Sequence, residues 1–222
     1  MSLDHLHPAY RRLAGLPDHE RIEWIRADRW VNFAMAERAL RRLEDLLAYP
    51  RRDRMPCMLI YGDTGIGKTK IIAKFLRDHP PVFDHGTGIT RAPVVAFQMP
   101  AQPDEDQFYD ELFRALGAPS RSGDRIAGTR RHCRELLRAI VTRMLIIDEV
   151  HAMLAGTYRQ QRIFLNTIRF LANDLRMPLI CAGTDEARQA ILTAAARGAL
   201  PISRSGRRDG PVRSNKGMLT LI

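Results

Sequence analysis

Eight consecutive residues in the first half of this 222-residue chain have the spacing of a phosphate-binding loop. They fit the pattern G-x-x-x-x-G-K-[S/T] and are Gly62, Asp63, Thr64, Gly65, Ile66, Gly67, Lys68 and Thr69. Glycines allow successive backbone N–H groups to curve around a phosphate, and the N-terminus of the following helix attracts the same anion. Lys68 is placed to contact the β- and γ-phosphates, and the Thr69 hydroxyl is placed to hold Mg²⁺. The octet therefore predicts binding of ATP or another nucleoside triphosphate.

An acidic pair further along the chain supplies the second half of such a site. The apolar run 144–147 ends in Asp148 and Glu149, as expected of a buried parallel strand whose carboxyl end faces a ligand. We expect Asp148 to orient Mg²⁺ through its water shell. Glu149 is predicted to polarise the attacking water, which a carboxylate within hydrogen-bond reach can do. Together the two motifs predict ATP hydrolysis.

Two polar residues near these motifs have two interpretations each. Thr184 follows a predicted strand, and it either senses the γ-phosphate or caps the helix that begins at Asp185. His151 completes a D-E-x-H sequence, which raises a helicase alternative. A helicase needs a second motor domain, for which the residues after Gly183 are too few. His151 is therefore interpreted as a polar contact near the site or as a residue at a helix start.

Charge at a γ-phosphate is commonly stabilised by an arginine. Arg197 and Arg204 are the candidates that follow the last predicted strand. Neither has a sequence context that supports this role.

A parallel sheet is needed to bring the two motifs together. The apolar runs that predict its strands are 58–61, 93–98, 144–149 and 178–183. The helical patterns comprise two helices within 16–47, one over 70–79, one opened by a capping box at Asp104 and Gln107, one from about 124 to 140, and one containing 163–175. Because strands alternate with helices, we expect an open α/β sheet of the P-loop NTPase class, with helices on both faces.

Composition narrows the class of protein. Hydrophobic residues make up 45% of the chain, enough for one sizeable core, and no apolar run approaches the ~20 residues that cross a bilayer. No signal-peptide pattern precedes the first helix, so a cytoplasmic protein without membrane association is expected. Cys57, Cys133 and Cys181 are widely separated, which predicts buried free thiols rather than disulfides or a zinc site.

The charge balance favours a polyanionic partner. Lys and Arg number 35 against 25 Asp and Glu, a net charge of +10. One basic cluster lies in the Gly/Ser/Arg-rich tail 199–222, which is expected to be disordered. The other contains Arg121, Arg125, Arg130, Arg131, Arg134, Arg138 and Arg143, opposed locally by Asp124 and Glu135. We expect such clusters to contact the phosphates of duplex DNA without reading bases.

Three stretches of the sequence resemble the TniB family of transposition proteins. They are WIRADRWVNFAMAERALRRLEDLLAYP (24–50), RMPCMLIYGDTGIGKTKII (54–72) and MLIIDEVHAMLAGTYRQQRIFLNTIRFLANDLRMPLICAGTDEA (144–187). This family consists of AAA+ ATPases similar to TnsC and the phage Mu B protein. The resemblance implies an ATP-dependent regulator that oligomerises on target DNA and recruits or activates a DDE transposase resembling TniA. It also implies that 62–69 is the Walker A loop, Asp148 and Glu149 the Walker B acids, and Thr184 the sensor-1 residue.

The resemblance ends near Ala190. Family members continue into an arginine finger, a fifth strand and a helical lid, none of which the pattern after that residue predicts. The expected organisation is a helical extension over 1–56, an ATPase core over 57–198 and the basic tail, with an apparently truncated C-terminus. An alternative function is therefore a nucleotide-binding module without turnover, and a less favoured one is a helicase or helicase loader.

Overall fold

The structure is a computed structural model that describes residues 3–119, 126–196 and 220–221. For residues 194–196 and 220–221 only the backbone is described. The chain divides into two units, Met1–Asn32 and Phe33–Ile222. Arg121, Arg125, the predicted helix start near Asp124, Arg197 and Arg204 lie outside the described residues, as does most of the predicted tail. None of the described helices has the length and apolar character that crossing a membrane requires.

The first unit is small and has no buried side chain in its helices. After a 3₁₀ turn at Pro8–Tyr10 come α1 (Arg11–Ala14) and α2 (Asp18–Arg26), the first of the two helices predicted within 16–47. Aromatic packing organises the unit, because the Tyr10 and Trp24 rings lie 5.5 Å apart and the Arg29 guanidinium lies 3.5 Å above the Trp24 ring. A unit of this size cannot bury a hydrophobic core of its own.

The second unit is built around a sheet whose central strands are the predicted apolar runs. In chain order the strands are β1 (Cys57–Tyr61), β2 (Val82–Asp84), β3 (Ile89–Arg91), β4 (Val94–Gln98), β5 (Met144–Asp148), β6 (Leu179–Gly183) and β7 (Thr220–Leu221). The large sheet has the order β4-β5-β6-β1-β7, and its first four strands are parallel. All five residues of β5 are buried, as its continuous apolar run predicted.

Helices cover the sheet, as alternation of the patterns predicted. They are α3 (Ala34–Leu47), α4 (Lys68–Asp78), α5 (Glu105–Ala115), α6 (Ile126–Ala139), α7 (Tyr158–Leu175) and α8 (Asp185–Ala196). The Asp104 carboxylate accepts from Gln107 N at 2.9 Å, so the predicted cap of α5 is confirmed. On α7, Phe164, Ile168, Leu171 and Leu175 face the core, whereas Ile163 is 51% exposed.

Two strand predictions were wrong. The hairpin β2–β3 was missed because its strands have three residues each, too short for an alternation signal. Its turn is nevertheless marked in the sequence, since the Asp84 carboxylate accepts from Gly86 N at 3.0 Å and Gly88 adopts φ +68°. The expectation that no fifth strand follows β6 also fails, because Thr220–Leu221 pairs antiparallel with Ile60 and Tyr61 of β1.

Helix α3 belongs to the second of the two units, Phe33–Ile222. The reason is that α3 is amphipathic and buries Ala36, Ala39 and Leu43 while packing with α4. Across this helix pair, Glu44 Oε1 lies 2.8 Å from His79 Nε2. The second predicted N-terminal helix is thus part of the sheet-containing unit.

Candidate nucleotide-binding site

The phosphate-loop sequence joins β1 to α4 at the carboxyl edge of the sheet. Gly65 and Gly67 adopt φ +83° and +94°, a conformation that residues with a side chain rarely take, so glycine is required there. Gly62 N donates to Gly183 O at 3.3 Å, which fixes the start of the loop against the end of β6. The loop therefore leads directly into the N-terminus of α4, where an anion is favoured.

Lys68 is the first residue of α4, and it is 5% exposed. Its ammonium donates to Gly62 O at 3.0 Å and to Asp63 O at 2.9 Å. Both acceptors are neutral carbonyls, which offset only part of the cost of burying a charge. An anionic phosphate at the loop is the partner that would neutralise this side chain.

The two halves of the predicted site meet across the sheet edge. The Thr69 hydroxyl donates to Asp148 Oδ2 at 2.7 Å, although the two residues are 79 positions apart in the chain. Asp148 is 8% exposed, and its other oxygen accepts from Glu149 N at 2.8 Å. A hydroxyl and a carboxylate are hard oxygen donors, so this pair fits Mg²⁺. Among the described residues, no group of three or more His, Cys, Asp or Glu could hold a metal by itself, so nucleotide oxygens would complete the coordination.

Glu149 has an unusual backbone conformation. Its φ of +55° and ψ of +35° are left-handed, which is uncommon for a residue other than glycine and costs about 1–3 kcal/mol. The turn ends β5 and starts a 3₁₀ helix over Val150–Ala155. Strain of this kind persists where the surrounding structure holds it, often at functional sites. The half-buried Glu149 side chain thus lies at the sheet edge beside the Thr69–Asp148 pair.

His151 contacts Glu149 rather than serving only as a helix-start residue. Its Nδ1 lies 3.1 Å from Glu149 Oε2, yet this buried nitrogen has no partner of hydrogen-bond geometry among the described residues. Gly183 allows the close approach of this segment, because a Cβ there would lie 2.9 Å from Val150 Cγ1. Of the two interpretations drawn from the sequence, the structure supports the polar contact near the site.

Thr184 occupies the N-cap of α8, since its carbonyl accepts from Arg188 N at 3.2 Å. A hydrogen bond with the Thr184 side chain lowers the pKa of Glu186, and His151 is close enough to lower it further. Thr184 therefore lies at the carboxyl end of β6, directly after Gly183. The sequence did not indicate that Glu186 interacts with Thr184, because it showed only that Glu186 lies in the first turn of a predicted helix.

The predicted basic cluster on α6 differs from expectation, because carboxylates from other helices pair with three of its arginines. Arg130 Nε donates to Glu105 Oε1 of α5 at 2.7 Å, with a second contact beside it. On α7, Asp174 lies 2.6 Å from Arg138 and 3.5 Å from Arg134. The prediction that only Asp124 and Glu135 oppose this cluster was thus wrong, because Glu105 of α5 and Asp174 of α7 also pair with its arginines.

The cysteines are free thiols, but they are less uniformly buried than predicted. Cys133 is buried, whereas Cys57 and Cys181 are partly accessible on neighbouring strands. Burial raises the pKa of Cys133 and of Cys181 to about 12, and it also raises the pKa of Cys57. Thiolate chemistry is therefore disfavoured at all three positions.

Comparison with known proteins agrees with this geometry. The family model described as "Bacterial TniB protein" matches residues 21–196. No curated protein matches the sequence. Among solved structures, Cdc6p from Pyrobaculum aerophilum is similar with a TM-score of 0.54 and 21% identity, over 79% of this chain and 46% of that one. The ORC1 protein of Aeropyrum pernix, solved in complex with DNA, has a TM-score of 0.48 and 18% identity, over 69% and 40% of the two chains.

The chain spans less than half the length of either solved structure. At this level of identity the likeness to Cdc6p concerns the fold alone. The parallel sheet flanked by helices is shared with that protein, so the predicted fold class, an open α/β sheet of the P-loop NTPase class, is confirmed.

Proposed function

Because this chain belongs to the bacterial TniB family, we propose that it is an ATP-dependent regulator of DNA transposition. In this proposal it binds target DNA through the phosphate backbone, assembles there as a homo-oligomer, and recruits or activates a DDE transposase resembling TniA. The observation that carries the nucleotide part is the 2.7 Å hydrogen bond between Thr69 and Asp148, which joins the phosphate loop to the acidic strand end.

Each site residue has a distinct role in this proposal. Lys68 and the backbone N–H groups of the loop bind the triphosphate, and Thr69 and Asp148 hold Mg²⁺. When bound, the ion neutralises charge on the phosphate oxygens. Glu149 accepts the proton of the attacking water, and Thr184 contacts the γ-phosphate or that water. Hydrolysis would then switch the protein between two DNA-binding states.

Nucleotide-dependent DNA binding tests this function. The protein would be titrated against a fluorescent duplex with ATP, with ADP and without nucleotide, each in Mg²⁺. We expect the affinity for DNA to be about tenfold or more higher with ATP than with ADP, and the ATP state to capture the cognate transposase on that duplex. Equal DNA affinity in all three nucleotide conditions would contradict the proposed switch.

A second candidate is a nucleotide-binding switch without turnover of its own. The 3.1 Å separation between His151 Nδ1 and Glu149 Oε2 favours it, since a carboxylate oriented toward the ring is not directed at a water. Phosphate release by wild type and by His151→Ala separates the two candidates. Turnover in wild type supports the ATPase, whereas turnover that appears only in His151→Ala supports the second candidate.

A further inference from the structure

Helix α7 contains a long run without acidic residues. The segment Tyr158–Asn173 of α7 contains three arginines and no aspartate or glutamate. At about 100° per residue, its exposed side chains other than Gln160 fall within an arc of roughly 140°, opposite the residues that pack on the sheet. We define this α7 outer face by its exposed residues Tyr158, Arg159, Arg162, Ile163, Asn166 and Phe170.

Several arginines on the other long helices form ion pairs within the protein. The ion pairs are Arg21–Asp18 in α2, Arg41–Glu37 in α3, Arg114–Glu111 in α5, Arg130–Glu105 and Arg138–Asp174 from α6, and Arg188–Asp185 in α8. By contrast, within the part of the chain that the structure describes, Arg159 and Arg162 are in no ion pair. The guanidinium of Arg162 instead lies 5.9 Å from the ring centroid of Tyr158. The α7 outer face therefore keeps its positive charge.

The apolar residues of this face are also accessible. Ile163 is 51% and Phe170 56% exposed, and the Arg134 guanidinium of α6 lies 5.7 Å from the centre of the Phe170 ring. Exposed apolar and cationic groups on one face indicate an interaction surface. The uncompensated arginines favour an anionic partner over a second copy of a chain whose own net charge is +10.

We propose that the α7 outer face is the surface that binds the phosphate backbone of duplex DNA. Arg, Asn and Tyr side chains are among the groups that contact phosphate and sugar in protein–DNA complexes, and this face presents all three types. Such contacts position a protein without selecting a sequence. The inference rests on the proposed DNA-dependent function, and it replaces the α6 cluster as the main candidate for DNA binding.

The test compares two double variants that each remove two positive charges. Arg159→Ala/Arg162→Ala changes the α7 outer face, and Arg114→Ala/Arg138→Ala removes two exposed arginines that pair with Glu111 and Asp174. Binding to a mixed-sequence fluorescent duplex would be measured with ATP and Mg²⁺ over a range of salt concentrations. Circular dichroism and ATP affinity would show that both variants fold and bind nucleotide.

We expect the α7 variant to lose about tenfold or more in DNA affinity, and its log–log salt slope to fall by roughly 2, since each phosphate contact contributes about 0.9. The control variant should change the affinity by less than about threefold. Equal losses in the two variants would overturn the inference, because net charge alone would then explain binding. A wild-type affinity in the α7 variant would overturn it as well.

Two further outcomes distinguish this inference from binding of a second copy and from failure of the proposed function. If Phe170→Ser reduces the molecular mass in sedimentation while Arg159→Ala/Arg162→Ala leaves DNA affinity unchanged, the face binds a second copy and the inference fails. If wild type binds ATP but no DNA at all, the DNA part of the proposed function fails together with the inference. A loss confined to the α7 variant supports both.

Discussion

Two charged regions of this protein use their side chains in different ways. At the carboxyl edge of the sheet, Lys68 is buried and held by neutral carbonyls, and Thr69 and Asp148 meet across a long sequence separation. In the layer formed by α5, α6 and α7, Arg130 and Arg138 pair with carboxylates of other helices. Groups at the edge are arranged for a ligand, whereas these two α6 arginines and their carboxylates neutralise one another. We therefore expect substitutions at the edge to change chemistry and those in the layer to change stability.

The largest effect is expected at the edge, from Glu149→Gln. The amide cannot accept the proton of the attacking water, so turnover should fall by about 10²–10³-fold while ATP affinity changes little. Phosphate release and equilibrium binding of ATP measure the two quantities. Undiminished hydrolysis in the variant would remove Glu149 from the role of base.

A smaller effect is expected from Thr69→Ala, which removes the hydroxyl that donates to Asp148. The Mg²⁺ concentration at half-maximal ATP binding should rise by roughly tenfold, because one oxygen ligand is lost. Thr64→Ala, in the same loop but outside the Asp148 contact, is the matched control. An unchanged Mg²⁺ requirement in Thr69→Ala would place the ion elsewhere.

In the helix layer, Arg130→Ala should lower the free energy of unfolding by about 1 kcal/mol. Its paired contacts with Glu105 are partly buried, and such pairs are at the upper end of surface ion-pair energies. Urea unfolding measures the loss, and Arg131→Ala, an exposed neighbour on α6, should change it by only a few tenths of a kcal/mol. If ATP affinity fell in Arg130→Ala instead, the contrast between the two regions would fail.

The smallest effect concerns Asp185, at the start of α8 near the sheet edge. Hydrogen bonds from the Arg188 side chain, then from Gln189, lower its pKa below the ordinary value of 3.8. A lowered folded-state pKa contributes stability above about pH 4, and the contribution is lost as pH falls through the folded-state value. Asp185→Asn should therefore cost about 0.5 kcal/mol at pH 7, since the pair is accessible to solvent, and less near pH 3. If the difference in unfolding free energy between wild type and Asp185→Asn grew as the pH fell, the assigned direction of the Asp185 pKa shift would be wrong.

Local patterns were sufficient to predict the four parallel strands and the glycine-rich loop between β1 and α4. Continuous apolar runs marked β1, β5 and β6, and the glycine spacing marked a loop that needs positive φ at Gly65 and Gly67. These features depend on neighbours within a few residues. The β2–β3 hairpin was missed because three-residue strands carry too little pattern.

Long-range pairing could not be predicted from local counts. Arg138 and Asp174 are 36 positions apart, so the sequence around α6 gave no sign that its arginines are neutralised. The same limit hid the α7 outer face, where Arg159 and Arg162 are in no ion pair among the described residues. The contact of His151 with Glu149 also depends on the left-handed turn at Glu149, which the sequence D-E-V-H does not specify.

The most direct test of this account is the affinity for ATP with Mg²⁺ of wild type, Lys68→Ala, Lys74→Ala and Arg130→Ala, measured by calorimetry. Lys74 is on the same helix as Lys68 but pairs with Asp78. The account predicts that Lys68→Ala alone weakens binding by about 100-fold or more, because its ammonium lies at the loop on neutral carbonyls, whereas Lys74 and Arg130 are in ion pairs. Wild-type affinity in Lys68→Ala, or an equal loss in Arg130→Ala, would contradict the assignment of the nucleotide site to the carboxyl edge of the sheet.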